Sequence, residues 1–360
     1  MIRRVTALFL AGSIAVMACG GSAATTPPSA PPSTPGASAS AATSSEAPGS
    51  ALDDLCARAA TEEGQVVYWH TMADETIDAL VEMFSARYPG IEVESLSVRP
   101  DDAVQRVLTE SAAGRQITPD VVDGELDIYG PLLERDLIDT TEDWVALGVA
   151  EDKPNELNMV RLDRVTGGIV FNTDVYSADE LPDTWEGLID AKFRGRVVVD
   201  PRGRPYDQLA LEWGADEALD HVRRLKDVVA PLVIQGGTAG MVAVAGGEAD
   251  ITTGGRSAET REQQAAGAPL DIKYLDVITT LDSSSALIGS ARHPLSARCW
   301  TAWSATQGEE ERLRLEFKEN ATTPTGAPAD AVRVTIDTLE KAEIVDEIST
   351  EMGRIWSETQ

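Results

Sequence analysis

The chain has 360 residues, 42% of them hydrophobic and 25% charged, with 60 acidic against 30 basic side chains for a net charge of −30. That length supports two domains with cores of their own, and the composition excludes a disordered chain or a multi-span membrane protein. The acid excess excludes nucleic acid as a partner, because phosphate has to be neutralised by Lys and Arg.

Arg3-Arg4 precede an apolar run, Val5 to Ala18, that is short for a bilayer span and fits a signal-peptide core. Its end, Val16-Met17-Ala18-Cys19-Gly20, resembles the bacterial lipobox. The resemblance implies that residues 1–18 are a signal peptide and that Cys19 becomes a lipidated N-terminus, palmitate included. An ordinary signal peptide with an incidental cysteine is the alternative. Through Ser50 the chain is almost wholly Ala, Ser, Thr, Pro and Gly, so residues 19–50 read as the lipidated cysteine and a flexible tether. Its root-mean-square reach is roughly 30 Å. Two cysteines remain, Cys56 and Cys299; an even pair in an oxidising compartment suggests a disulfide, with two buried free thiols as the alternative.

From Leu52 to Glu63 the pattern is an amphipathic helix. Gln65 to Tyr68 read as a short buried strand that releases Trp69-His70-Thr71. Ile77, Leu80, Val81, Phe84 and Tyr88 recur at intervals of three and four, which predicts a helix over 74–88, ended by Pro89-Gly90. With a strand over 91–98 these make a βαβ unit, whose ligands collect at the C-terminal edges of the strands. A helix over 101–113 and a strand over 119–123 follow, the latter releasing Gly124-Glu125. A helical stretch over 130–136 comes next, and 144–158 carries no clear period. Residues 164–172 run extended, with Gly167-Gly168 permitting a bend.

After Leu181 the alternation restarts. Residues 196–199 form a buried strand ending in Asp200-Pro201-Arg202, 217–228 a helix, and Val233-Ile234 a strand opening on Gly236-Gly237-Thr238. A short helix over 240–247, a strand over 249–253 opening on Gly254-Gly255-Arg256, and a helix over 257–266 complete that repeat. Strands at 272–274 and 286–288 and helices over 294–307 and 345–356 close the chain. Strands alternating with helices throughout give layered α/β architecture.

Four runs in order carry a resemblance: GQVVYWHTMADETIDALVEMFSARYPGIEVE, ITPDVVDGE, GGIVFNTDVYSADELPDTWEGLIDAKFRGRVVVDPRG and SARHPLSARCWTAWSATQGEE. Together they resemble the extracellular solute-binding proteins of bacterial ABC importers, in the branch with ferric-iron, thiamine, polyamine and phosphonate binders. The resemblance implies a type II periplasmic-binding-protein fold, two α/β lobes joined by crossover strands at 165–172 and 277–284. Residues 51–164 plus 277–317 would form one lobe, and 165–276 plus 318–360 the other. It also implies a monomer outside the cytoplasm, held to the cell membrane by its lipid, that hands a small solute to a permease and its ATPase. A lipid-anchored sensor or interaction module keeps the same features.

The strand-edge loops nominate Trp69, His70, Thr71, Glu125, Asp200, Arg202, Tyr206, Thr238, Thr253 and Arg256 as ligand-binding residues. In ferric-binding members a histidine, a glutamate and a tyrosine pair hold iron. Glu125 matches the glutamate, but Gly255 and Arg256 stand where the tyrosines would, and a fixed guanidinium repels ferric iron. Iron by a non-tyrosine site remains as an alternative, and no cofactor or resident metal is expected. Arginine suits a carboxylate, phosphate or phosphonate, with glycine-rich amides as a second anion contact. Asp200 and Glu125 suit an amine, and Trp69 or Tyr206 would stack on it. Each role has a plainer alternative: Arg256 paired with Glu259, Asp200-Pro201 as a turn, Trp69 in the core, His70 as a hydrogen-bonding cleft or core residue. No G-x-S-x-G, H-E-x-x-H, P-loop or C-x-x-C motif points to catalysis.

Overall fold

The structure, a computed structural model, describes residues 50–320 and 324–358. The expected signal peptide, Cys19 and the expected tether up to residue 49 lie outside the described residues. Helix α1 (Ala51–Glu62) leads into β1 (Gln65–His70), α2 (Asp74–Arg87), β2 (Glu92–Ser97), α3 (Pro100–Ala112), β3 (Val121–Gly124), a single turn α4 (Gly130–Leu133) and the long β4 (Val160–Asn172). Then come β5 (Val197–Val199), α5 (Tyr206–Trp213), α6 (Ala215–Val229), β6 (Leu232–Val233), α7 (Gly237–Ala245), β7 (Ile251–Arg256), α8 (Ser257–Ala265) and β8 (Leu270–Lys273). The chain ends in β9 (Val277–Leu287), α9 (Pro294–Ser304), α10 (Glu309–Leu315), β10 (Val332–Thr335) and α11 (Leu339–Ser357). No described helix is long and apolar enough to cross a membrane.

The strands run in the order β2-β1-β3-β9-β4-β7-β5-β6, with β10 beside β9 and β8 beside β4. β1 pairs in parallel with β2 and β3, closing the βαβ unit around α2. Its helix buries Ile77, Leu80 and Phe84 against the sheet. Two long antiparallel strands link the halves. β4 pairs β9 from Val160↔Ser285 to Thr166↔Thr280, and from Gly167 onward β4 pairs β7 instead. The predicted bend at Gly167-Gly168 is a close approach followed by a bulge. A Cβ on Gly167 would lie 2.2 Å from the Thr279 hydroxyl, one on Gly168 2.7 Å from the Lys273 carbonyl, and the register slips before Val170.

Separate hydrophobic cores flank this linkage. In the first lobe Phe84 of α2 meets Trp300 and Trp303 of α9 at ring distances of 5.0 and 5.1 Å. Cys56 of α1 and Cys299 of α9 are joined there in a disulfide, and beside it Glu63 accepts the amides of Leu295 and Ser296 at the start of α9. The second lobe gathers Phe171, Trp185, Phe193 and Leu225 around α5, α6 and α11. Two α/β lobes joined by crossover strands make this the type II periplasmic-binding-protein fold. Several bounds shift: the last helix starts at Leu339 rather than 345, the strand at 286–288 is the end of β9, β7 runs through Gly254-Gly255-Arg256, which were expected to follow the strand, and α5, α10 and β10 had no clear period to betray them.

Candidate functional site

Alternation along the crossover strands sets the floor of a cleft between the lobes. Thr279, Leu281 and Ser283 of β9 and Val165 of β4 line cavities on one face, while Asp282 and Ser284 point to the other.

The second-lobe wall starts where β5, three fully buried valines, runs into Asp200. This carboxylate is 4% exposed and accepts the Arg202 amide (3.0 Å), the Arg202 guanidinium (2.6 Å) and the Gly236 amide (3.1 Å). Burial alone would raise its pKa, but the Arg202 hydrogen bonds outweigh that and hold it below the usual carboxylate range. Asp200 therefore braces the wall with its charge balanced by Arg202, which commits Nε and Nη2 to it and also lines this side of the cleft. The Asp200–Gly236 bond ties the strand end to α7. Gly236 stands at φ +101° and α7 has no side-chain cap, so the first amides of the helix, Thr238 among them, lack helical partners beside a cavity of about 290 Å³. Gly237 has to be glycine, since a Cβ there would lie 2.6 Å from the Gly254 carbonyl.

Arg256 lines this cavity, a narrow floor pocket of about 20 Å³ and a third cavity of about 190 Å³ towards the first lobe. It ends β7 opposite Gly167 and is the N-cap of α8, in extended conformation (φ −129°, ψ 149°), and its carbonyl accepts from the Thr260 hydroxyl. Among the described residues its guanidinium has neither an ion pair nor a hydrogen bond, so the pairing with Glu259 is not made. Thr253, 1% exposed, sits at the floor with its hydroxyl 3.4 Å from the Val198 carbonyl.

Arg204, which sequence reasoning passed over, lines both the 290 Å³ cavity and the floor pocket. It lies 3.7 Å from Glu125, 3.6 Å from Asp127 and 3.9 Å from Asp207, with no side-chain hydrogen bond among the described residues. The only available signal was its place in the Asp200-Pro201-Arg202-Gly203-Arg204 run, which does not tell the braced arginine from the unbraced one.

The first-lobe wall is narrower than expected. β1 continues through His70, and only Thr71 beyond it reaches the cleft, where it lines the 190 Å³ cavity with Glu125. Trp69 is 3% exposed in the core under α3, with the Arg106 guanidinium 5.7 Å from its ring centroid, and is no stacking platform. His70 is 1% exposed; Nδ1 accepts the Met72 amide and the ring stacks on Tyr68, while burial lowers its pKa. Tyr206 is corrected likewise. Its position on the first turn of α5, with Leu209 and Ala210 on the same face, turns the ring into the core against Trp185.

Behind this wall lies an ion network centred on the fully buried Arg312. Arg312 of α10 reaches Asp123 (3.2 Å), Asp163 (2.9 Å) and the Tyr68 hydroxyl (3.3 Å); Tyr68 and Ser285 also bond Asp123, and Lys318 lies 3.3 Å from Asp163. Among the described residues no group of three or more His, Cys, Asp or Glu side chains is placed to hold a metal ion.

The family model described as "Bacterial extracellular solute-binding protein" matches residues 79–311. No curated protein matches the sequence significantly. Among solved structures, the chain is similar to iron-bound HitA from Pseudomonas aeruginosa (TM-score 0.62, 17% identity, 80% of this chain and 99% of that one). It is similar to ferric iron-binding protein A of Mannheimia haemolytica in an open conformation (TM-score 0.62, 13% identity, 81% and 97%). A third likeness is to AfuA from Actinobacillus pleuropneumoniae with fructose-6-phosphate bound (TM-score 0.60, 15% identity, 82% and 98%).

Proposed function

We propose a function from one premise: the chain belongs to the family of bacterial extracellular solute-binding proteins. It is the substrate-binding subunit of an ABC importer, lipid-anchored through Cys19, monomeric, and specific for a small anionic or zwitterionic organic solute that it delivers to a permease. The lobes, 51–164 with 277–317 and 165–276 with 318–360, close on that solute through the crossover strands; closure needs only that the solute bind the closed state better.

The observation that carries the reading is Arg256. An unpaired guanidinium beside the uncapped N-terminus of α7 is a ready contact for a carboxylate or phosphoryl group. The fructose-6-phosphate named for AfuA is a solute of that chemistry. The iron named for HitA is not favoured, because His70 is buried with Nδ1 on the Met72 amide and Gly255 and Arg256 align with the expected tyrosines.

A thermal-shift screen of the protein from Ala51 onward tests this, across phosphorylated sugars, phosphonates, amino acids, polyamines, thiamine and ferric salts. At a hundredfold excess over Kd a true ligand adds about 2.7 kcal/mol. An anionic or zwitterionic solute is expected to score and Arg256→Ala to abolish the shift. Stabilisation by ferric iron with a tyrosinate charge-transfer band would sink the reading.

A further inference from the structure

Arg204 is placed unlike the other cleft arginines. Arg202 commits Nε and Nη2 to Asp200, and the Arg256 guanidinium has no partner among the described residues, whereas Arg204 stands within 4 Å of carboxylates on both lobes without hydrogen-bonding any of them. Glu125 and Asp127 flank the short turn after β3 and belong to the first lobe; Leu126 between them packs in its core. Asp207, on α5 of the second lobe, is itself held by the Ser349 hydroxyl at 2.7 Å. Arg204 also forms part of the wall between the ligand-side cavity and a separate cavity of about 520 Å³ bounded by α4 and α11.

Glu125 and Asp127 are like charges on one turn, and Arg204 is the only cation paired with either among the described residues. An anionic solute beside Arg256 and α7 faces the same guanidinium, whose donors are unspent. If the solute takes Arg204, the two carboxylates lose their counterion. Of the other cations at the 190 Å³ cavity that Glu125 lines, Lys318 is paired with Asp163 and Glu316 and Arg256 faces the same anion, so the replacement comes from the solute.

We infer that Arg204 is a clasp between the lobes, and that the clasp selects the ligand. A solute that takes the arginine has to bring a cationic group to Glu125 and Asp127, so the cleft prefers a zwitterion to a simple anion. The selection rests on the proposed function; the clasp does not, and the experiment keeps them apart.

For the clasp, spin labels on unnatural residues at exposed positions 115 and 262, one on each lobe, leave the disulfide intact and report the interlobe distance without solute. Arg204→Gln is expected to lengthen and broaden that distance, and Glu125→Gln/Asp127→Asn to do the same, with nothing added when the two are combined. An unchanged distance in Arg204→Gln overturns the clasp. For the selection, calorimetric titration compares phosphoethanolamine with ethyl phosphate, the same anion with and without an ammonium group. The wild type is expected to bind phosphoethanolamine about tenfold or more tighter, and Glu125→Gln/Asp127→Asn to erase the preference. Equal affinity, the reverse order, or binding of neither overturns the selection. A solute screen without hits alongside a responding Arg204→Gln defeats the transport reading and leaves the clasp standing.

Discussion

The two walls of the cleft use charge in opposite ways. Behind the first-lobe wall Arg312 is 1% exposed and held by Asp123, Asp163 and Tyr68. On the second-lobe wall Arg204 and Arg256 stand partly open, one loosely paired and the other unpaired. A buried ion is tolerated only when neighbours replace its lost hydration, so the Arg312 network is part of the fold. An accessible guanidinium keeps water as its partner and can exchange it for a ligand. What separates a structural ion from a binding one here is the share of donors already committed.

The sharpest way to break that contrast is to remove one arginine from each wall. Arg312→Ala leaves Asp123 and Asp163 buried with too little compensation, and burial already raises the Asp123 pKa against the opposing pull of Arg312. The expected loss is roughly 3–5 kcal/mol in urea denaturation, whereas Arg256→Ala is expected to change stability by no more than about 0.5 kcal/mol. Similar losses from both would erase the distinction.

Next in size is the disulfide, which bridges residues 243 apart and lies in the first-lobe core alone. Loop-closure entropy gives it up to about 5 kcal/mol, with typical measured values of about 2–4 kcal/mol. Cys56→Ser/Cys299→Ser is expected to speed hydrogen exchange in α1 and α9 while leaving protection in α6 and α8 largely intact. Uniform loss of protection would mean that the lobes unfold as one unit and that the walls are not independent.

Much of this architecture was legible because it follows periodicity. The βαβ unit around α2 needed only the spacing of Ile77, Leu80 and Phe84 and the Pro89-Gly90 stop. The site was less legible, for local reasons. β1 runs two residues past Tyr68, which carries Trp69 and His70 into the sheet and leaves Thr71 alone at the edge. Arg256 and Glu259 have the spacing of a helical pair, but Arg256 is an extended N-cap rather than a helical residue, and although the two line the same cavities no ion pair joins them among the described residues. α7 begins at Gly237, earlier than read, because Gly237-Thr238-Ala239 have no apolar period and Gly237 serves close approach to β7. The commitment of Arg312 depends on partners from β1, β3 and β4, a conjunction that no spacing in the chain reveals.

Asp127 gives the smallest effect and probes the boundary between the walls. Burial and the neighbouring Glu125 raise its pKa from 3.8 to about 6, against the pull of Arg204. A raised carboxyl binds its proton more tightly in the folded chain than in the unfolded one. Its contribution to stability is therefore complete below pH 3.8 and is lost as pH rises through about 6. Asn at this position never ionises, so the difference between Asp127→Asn and wild type should be near zero at pH 4 and reach about 1 kcal/mol in favour of Asn at pH 7.5. The full shift would predict more, but the side chain is 30% exposed and the substitution also removes one partner of Arg204. Paired denaturation curves at the two pH values check it, and a difference that does not depend on pH would mean that Asp127 is ionised without penalty. The same substitution is expected to loosen the clasp while it stabilises the fold. The charge at Asp127 is thus a cost to folding, retained on a surface where the lobes have to part.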